Sequence, residues 1–174
     1  KEKSLSKKLG RALLILAAAA LIVVDQITKR WAVVFLRDGG GMSVSVIPGL
    51  LEFRYLENTA AAMGMFRGMI TMIMVLSALV AVGIVVWIFL YNGHTWASYT
   101  AATLVLAGGV GNLIDRLINL GPEGERFVVD FIHVEFFPYI FNFADCCVTV
   151  GAVFLVIHFL LGAKSEKQAA EQES

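Results

Sequence analysis

Residues 69–91 read Met-Ile-Thr-Met-Ile-Met-Val-Leu-Ser-Ala-Leu-Val-Ala-Val-Gly-Ile-Val-Val-Trp-Ile-Phe-Leu-Tyr, 23 residues without one charge. A helix rises 1.5 Å per residue, so about 20 apolar residues cross the ~30 Å hydrocarbon core of a bilayer. This stretch is long enough to cross, and its most polar side chains are Thr71 and Ser77. Three more stretches of similar character flank it, at about 12–31, 97–116 and 139–161. The first is interrupted near its end by Asp25, Gln26, Lys29 and Arg30, and the last two carry polar residues toward one end. Of 174 residues 58% are apolar and 16% charged, more apolar surface than a core of this size can hide from water. The expected fold is therefore an all-α integral membrane protein with four transmembrane helices, one membrane-embedded domain over 1–174, and a tail at 162–174.

The balance of charge removes other classes. Fourteen basic and fourteen acidic residues cancel, which leaves no electrostatic footprint for a nucleic acid. Cys146 and Cys147 are adjacent and cannot build a disulfide framework. The N-terminal stretch also has features of a signal peptide, with Lys1, Lys3, Lys7, Lys8 and Arg11 before an apolar run. Three further spans and the polar group at 25–29 favour a retained helix. Lys and Arg divide seven to each side of the four spans, so the raw count does not orient the chain. Five basic residues among the first eleven place both termini in the cytoplasm. Trp87, Tyr91, Trp96 and Tyr99 bracket the short loop holding His94, as aromatic residues do at a membrane surface.

The long connection between the first two spans should hold structure of its own. Leu51, Phe53 and Tyr55 alternate with Glu52 and Arg54, Ser43–Val46 alternates likewise, and Pro48-Gly49 supplies a turn. That pattern predicts a small extracytoplasmic β-sheet within 38–60, lying on the membrane. Between the third and fourth spans, Gly121-Pro122-Glu123-Gly124 marks a loop, and Phe131, Phe136, Phe137, Tyr139, Phe141 and Phe143 suggest an interfacial segment on the periplasmic side.

Ionisable side chains in hydrocarbon are costly and mark function by default. Following the chain up and down through four spans brings Asp25, Lys29, Asn58–Gly64, Asn112, Asp115, Arg116, Asp130, Asn142 and Asp145 to one membrane face. Reversing the orientation moves them together, so a single polar site does not depend on the charge count. Asn112, Asp115 and Arg116 share one helix face, as do Asn142, Asp145 and Thr149. Gly108, Gly109 and Gly111 allow a close helix approach. A purely structural reading makes Asp115–Arg116 an ion pair with Asn112 as interhelical glue, and Asp25–Lys29 a scaffold pair. Asp130 and Asp145 sit instead in apolar settings, Val-Val-Asp-Phe and Phe-Ala-Asp-Cys. Two such carboxylates, if they converge, can share a proton, one activating water while the other polarises a carbonyl. Such a pair titrates as a unit and requires neither metal nor covalent nucleophile.

These residues resemble a known family. Asn58-Thr59-Ala60-Ala61-Ala62-Met63-Gly64, GGVGNLIDR at 108–116, VVDF at 128–131 and FNFAD at 141–145, with Asp25 and Lys29, are similar to the motifs of the lipoprotein signal peptidases (signal peptidase II), in order and over the chain from first span to last. The resemblance implies a four-span aspartyl endopeptidase of the bacterial cytoplasmic membrane. It would remove the signal peptide of diacylglyceryl-modified prolipoproteins, cutting before the lipidated cysteine at the extracytoplasmic face. It implies Asp130 and Asp145 as catalytic residues, Asn58, Asn112, Arg116 and Asn142 as substrate-binding, and Asp25, Lys29 and Asp115 as supporting. It further implies no metal and no cofactor, block by globomycin-like peptides, contact with membrane lipid, and a monomer. The family pattern usually has Gly where Ala60 stands, Phe where Met63 stands and often Ser where Cys146 stands; 119–126 is longer and 130–145 shorter than usual.

Two rivals make different predictions. A small proton-coupled transporter or channel subunit would spread polar residues through the membrane depth. A cysteine peptidase would pair Cys146 or Cys147 with His133, although buried free cysteine is usually inert packing. His94 and His158 read as interfacial or packing residues, and no local spacing is that of a zinc site.

Overall fold

The computed structural model describes residues 2–59, 69–90 and 95–173. The motif residues Ala60–Gly64, and Tyr91 and His94 of the short aromatic-flanked loop, lie outside the described residues. Helix α1 (Glu2–Ala32) continues through a π-helical turn, Val33–Arg37, followed by strands β1 (Ser43–Ile47) and β2 (Leu51–Asn58). Helices α2 (Ile70–Leu90) and α3 (Trp96–Ile118), strands β3 (Val128–Val134) and β4 (Ile140–Phe141), and α4 (Phe143–Glu173) follow. Four helical stretches, Leu9–Arg37, Ile70–Leu90, Trp96–Ile118 and Phe143–Leu160, are long and apolar enough to cross a membrane. Their large apolar side chains point outward, Leu16 65%, Leu79 63% and Phe159 65% exposed, as suits a chain whose solvent is lipid.

Helix α3 is the centre of the bundle and packs against α1, α2 and α4. Small residues make this possible. A Cβ on Gly108 would strike the Ala144 carbonyl and Val148 of α4, and one on Gly111 would strike the Asp25 carboxylate of α1. The α3 helix starts at a capping box in which Thr95 and Ser98 bond each other's backbone N–H. At its far end Arg126 Nη1 donates to the carbonyls of Arg116 (2.8 Å) and Leu117 (3.0 Å), occupying acceptors that the last turn leaves free.

The sheet is antiparallel with order β1-β2-β3-β4. The predicted hairpin is present, its turn at Gly49 with φ of +71°, where glycine carries no Cβ penalty. The connection between α3 and α4 differs from expectation. It is not merely an interfacial segment but supplies β3 and β4 to the same sheet. Val128–Phe131 is buried on both faces, so its apolar run lacks the alternation that betrays a half-exposed strand. Helix α4 likewise starts at Phe143 rather than Tyr139, because Ile140 and Phe141 pair with His133 and Ile132.

The sheet sits on the end of α1. Ala32, Leu36, Tyr55, Phe127, Val129 and Phe131 form one buried cluster. Trp31 packs edge-on against Phe53 (centroids 5.2 Å) and Phe131 (6.2 Å), a geometry worth about 0.5–1.5 kcal/mol per pair beyond the buried area. This packing fixes β3, and with it Asp130, against the helix ends.

Candidate active site

The site is built on a buried charge cluster. Lys29 Nζ lies 2.9 Å from Asp25 Oδ2 and 3.3 Å from Asp115 Oδ2, all three side chains almost fully buried. Each carboxylate also fastens another element: Asp25 Oδ1 accepts from the N–H of Ala144 on α4 (3.0 Å), and Asp115 Oδ2 from the N–H of Val129 on β3 (2.9 Å). Gln26, to which the sequence reading gave no site role, donates to Asp25 Oδ2, to Asp115 Oδ1 and to the Gly111 carbonyl at 3.0–3.2 Å. The signal available for it was a carboxamide in an otherwise apolar span, one residue from Asp25. Asp115 pairs across helices with Lys29, which replaces the Asp115–Arg116 ion pair of the purely structural alternative. Neighbouring helical residues point about 100° apart, which separates their partners.

Lys29 also sets the next layer. Its Nζ donates to Asn112 Oδ1 (2.9 Å), which turns the Asn112 amide so that Nδ2 donates to Asp145 Oδ1 (2.8 Å). Asn142, fully buried, touches both catalytic candidates. As N-cap of α4 its Oδ1 accepts from the Asp145 N–H (3.0 Å), while its own N–H donates to Asp145 Oδ2 (3.1 Å). This reciprocal arrangement is a capping box closed by two functional candidates. Asn142 Nδ2 meanwhile donates to Asp130 Oδ1 (2.7 Å), and lies near Asn112 Oδ1 (3.0 Å) and the Val129 carbonyl (3.3 Å). Asn58 Nδ2 donates to the other oxygen, Asp130 Oδ2 (2.8 Å).

Asp130 and Asp145 therefore share Asn142 as a partner, and both line one cavity of about 880 Å³. Its walls are apolar, including Phe137, Tyr139, Ile140 and Phe141, with Glu57 and Asn58 on the β2 side and Cys146, Thr149 and Val150 along α4. Burial, followed by the charge of Asp145, pushes the Asp130 carboxyl up to about 7, against the opposing effect of the Asn58 and Asn142 hydrogen bonds. The Arg116 guanidinium is buried, within the electrostatic reach of Asp145, Asp130 and Asp115. Its Nη1 bonds the Asn112 carbonyl (3.2 Å), and its Nε has no hydrogen-bond partner.

The structure thus brings together Asp25, Lys29, Asn58, Asn112, Asp115, Arg116, Asp130, Asn142 and Asp145. Asn112 and Asn142 spend their amides on the carboxylates themselves. His133 lies against Glu52, Cys147 is buried and Cys146 lines the cavity.

A four-helix membrane protein with paired, partly desolvated carboxylates opening into one cleft belongs to the multi-pass membrane enzymes. The fold is that of a solved bacterial membrane enzyme determined in meso at 2.3 Å resolution, with a TM-score of 0.75 and 28% identity over 88% of this chain and 91% of that one. The family model described as Signal peptidase (SPase) II matches residues 17–161, and the chain belongs to that family: it is a peptidase. Proteins named lipoprotein signal peptidase are similar over most of their length. The one from Lactiplantibacillus plantarum is 37% identical over 85% of this chain and 94% of its own, and that from Staphylococcus haemolyticus 31% identical over 94% of this chain and 100% of its own. These likenesses give no support to a transporter.

Proposed function

We propose that this signal peptidase is an intramembrane aspartic endopeptidase that cleaves diacylglyceryl-modified prolipoproteins before the lipidated cysteine, with Asp130 and Asp145 as its catalytic pair. The observation that carries the reading is the convergence of those two carboxylates on one cavity through a shared partner, Asn142. In the proposed reaction a water between them loses a proton to the ionised carboxylate and attacks the scissile carbonyl, while the protonated one donates to its oxygen. The gem-diol intermediate collapses as that proton passes to the leaving amine and one of its hydroxyls returns a proton to the other carboxylate, leaving the dyad with one proton again. Arg116, a fixed multiple donor with an unused Nε, bonds the substrate backbone. Asn58, Asn112 and Asn142 hold the carboxylates in place, and Asp25, Lys29 and Asp115 hold the asparagines and helix ends.

The apolar cavity wall and the exposed apolar faces of α2 and α4 suit a substrate whose signal helix and acyl chains stay in lipid. We place the termini in the cytoplasm of a bacterial inner membrane and the site at the outer face, reached by monomeric enzyme and blocked by globomycin-like peptides. The test is cleavage of a diacylated prolipoprotein by Asp130→Asn and Asp145→Asn enzymes that insert normally. Loss of about 10²–10⁴-fold in each is expected; wild-type rates in either would overturn the assignment.

A further inference from the structure

The sheet carries a second group of ligating side chains that the dyad does not use. Glu52 of β2 and His133 of β3 are directly opposed in the ladder, and Glu135 follows His133 by two residues, which places it on the same face. One ligand atom from each of the three lies within 4.8 Å of the other two. His133 Nδ1 stands 3.4 Å from Glu52 Oε2, yet that nitrogen is buried and makes no hydrogen bond. Between an imidazole nitrogen and a carboxylate oxygen this close, a cation can take the place of the imidazole proton. The His133 and Glu52 side chains are 12% and 16% exposed, and Glu135 is exposed, so the group has a sheltered floor and an open entrance.

Two groups compete for Glu52. Arg54 Nη2 lies 2.6 Å from its Oε2, and the Ser43 hydroxyl also bonds it. The Arg54 side chain is 47% exposed, and an ion pair so open to solvent holds its partners only weakly. It can swing into solvent at little cost.

We propose that Glu52, His133 and Glu135 bind a divalent transition-metal ion, for which one imidazole and two carboxylates are the donor set that Zn²⁺ takes with a fourth position left to water. Zinc held at ~2.0–2.2 Å from each donor requires the two carboxylates to close in by about an ångström, a movement within the range of side-chain rotation. Glu135 opens the turn that carries Phe136, Phe137 and Pro138, part of the cavity wall. A bound ion would fasten that wall to β2. Glu52 lies far along the chain from His133 and Glu135 and meets them only through the sheet register, with no local motif, so the sequence spacing conceals the group. The site stands whether or not the proposed substrate is correct.

Zn²⁺ titration of chelator-stripped full-length protein in detergent, read by competition with a chromophoric chelator, tests this. One saturable ion per chain is expected. His133→Gln and the exposed Glu135→Gln should each weaken it about tenfold or more, whereas Arg54→Gln should tighten it by freeing Glu52. Absence of saturable binding overturns the proposal. So does binding unchanged in Glu135→Gln, which would assign the ion to other donors such as Cys146.

Discussion

Asn142 separates two roles that one side chain performs, and substitution can take them apart. Its Oδ1 caps α4 by accepting from the Asp145 N–H at 3.0 Å, while its Nδ2 donates to Asp130 Oδ1 at 2.7 Å. Asn142→Ala removes both. Loss of the cap costs about 0.5–2 kcal/mol, and loss of a hydrogen bond to a buried charged group about 1.5–3 kcal/mol. Asn142→Ser keeps an acceptor for the Asp145 N–H but has no donor long enough to reach Asp130. The serine variant should therefore retain the cap's share, about 0.5–2 kcal/mol, of the stability lost by alanine. If the amide holds Asp130 in its reactive position, 1.5–3 kcal/mol withdrawn from the transition state lowers the rate about 10- to 150-fold. That loss should appear in both variants alike. The assay is a paired measurement of melting temperature in detergent and single-turnover cleavage of a diacylated prolipoprotein. A serine variant that cleaves like wild type, while alanine is crippled, would show that only the helix cap matters and would refute the reasoning.

Other outcomes follow from the same contacts. Asp130, pushed up to about 7 by burial and the Asp145 charge, must lose its proton as pH rises, so cleavage should fall on the alkaline side with a midpoint near that value. The Asn58 donor favours the ionised form; Asn58→Ala should move the alkaline limb to higher pH, as read from kcat/KM profiles. Lys29→Met leaves Asp25 and Asp115 facing each other without their cation, and should destabilise by about 3–5 kcal/mol, measured by thermal or denaturant unfolding in micelles. Gly108→Ala drives a methyl into the Ala144 carbonyl and Val148, at an overpacking cost of about 1–3 kcal/mol and with reduced cleavage, because Ala144 adjoins Asp145. Gly109→Ala, whose added methyl meets nothing, should be neutral or stabilising by up to about 1 kcal/mol; equal melting shifts for the two would contradict the packing described.

Some of this was legible in the residues and some was not. Helices were visible wherever lipid was the solvent, since a charge-free run such as 69–91 admits few other structures. The β1–β2 hairpin was visible because its residues alternate between apolar and polar along each strand and Pro48-Gly49 supplies the turn. Strand β3 was hidden by burial on both faces, and β4 by its brevity, two residues absorbed into an apolar run. At the site, following the spans sufficed to bring the polar residues to one end. Helical spacing grouped Asn142 with Asp145, but not the capping box they form. Partners across elements were beyond reach: the turn of the Asn112 amide depends on Lys29, and the fastening of β3 depends on Asp115 accepting from Val129. Those are consequences of helix packing angle and sheet register, which no local spacing encodes.

The most direct test of the central claim is a double-mutant cycle on cleavage rate with Asp130→Asn, Asp145→Asn and both together, each checked for normal insertion and melting. If the two carboxylates act as one proton-sharing unit, either single change costs nearly all of the acceleration and the double variant loses little more. Losses that multiply in the double variant, or a single variant that cleaves at the wild-type rate, would contradict it.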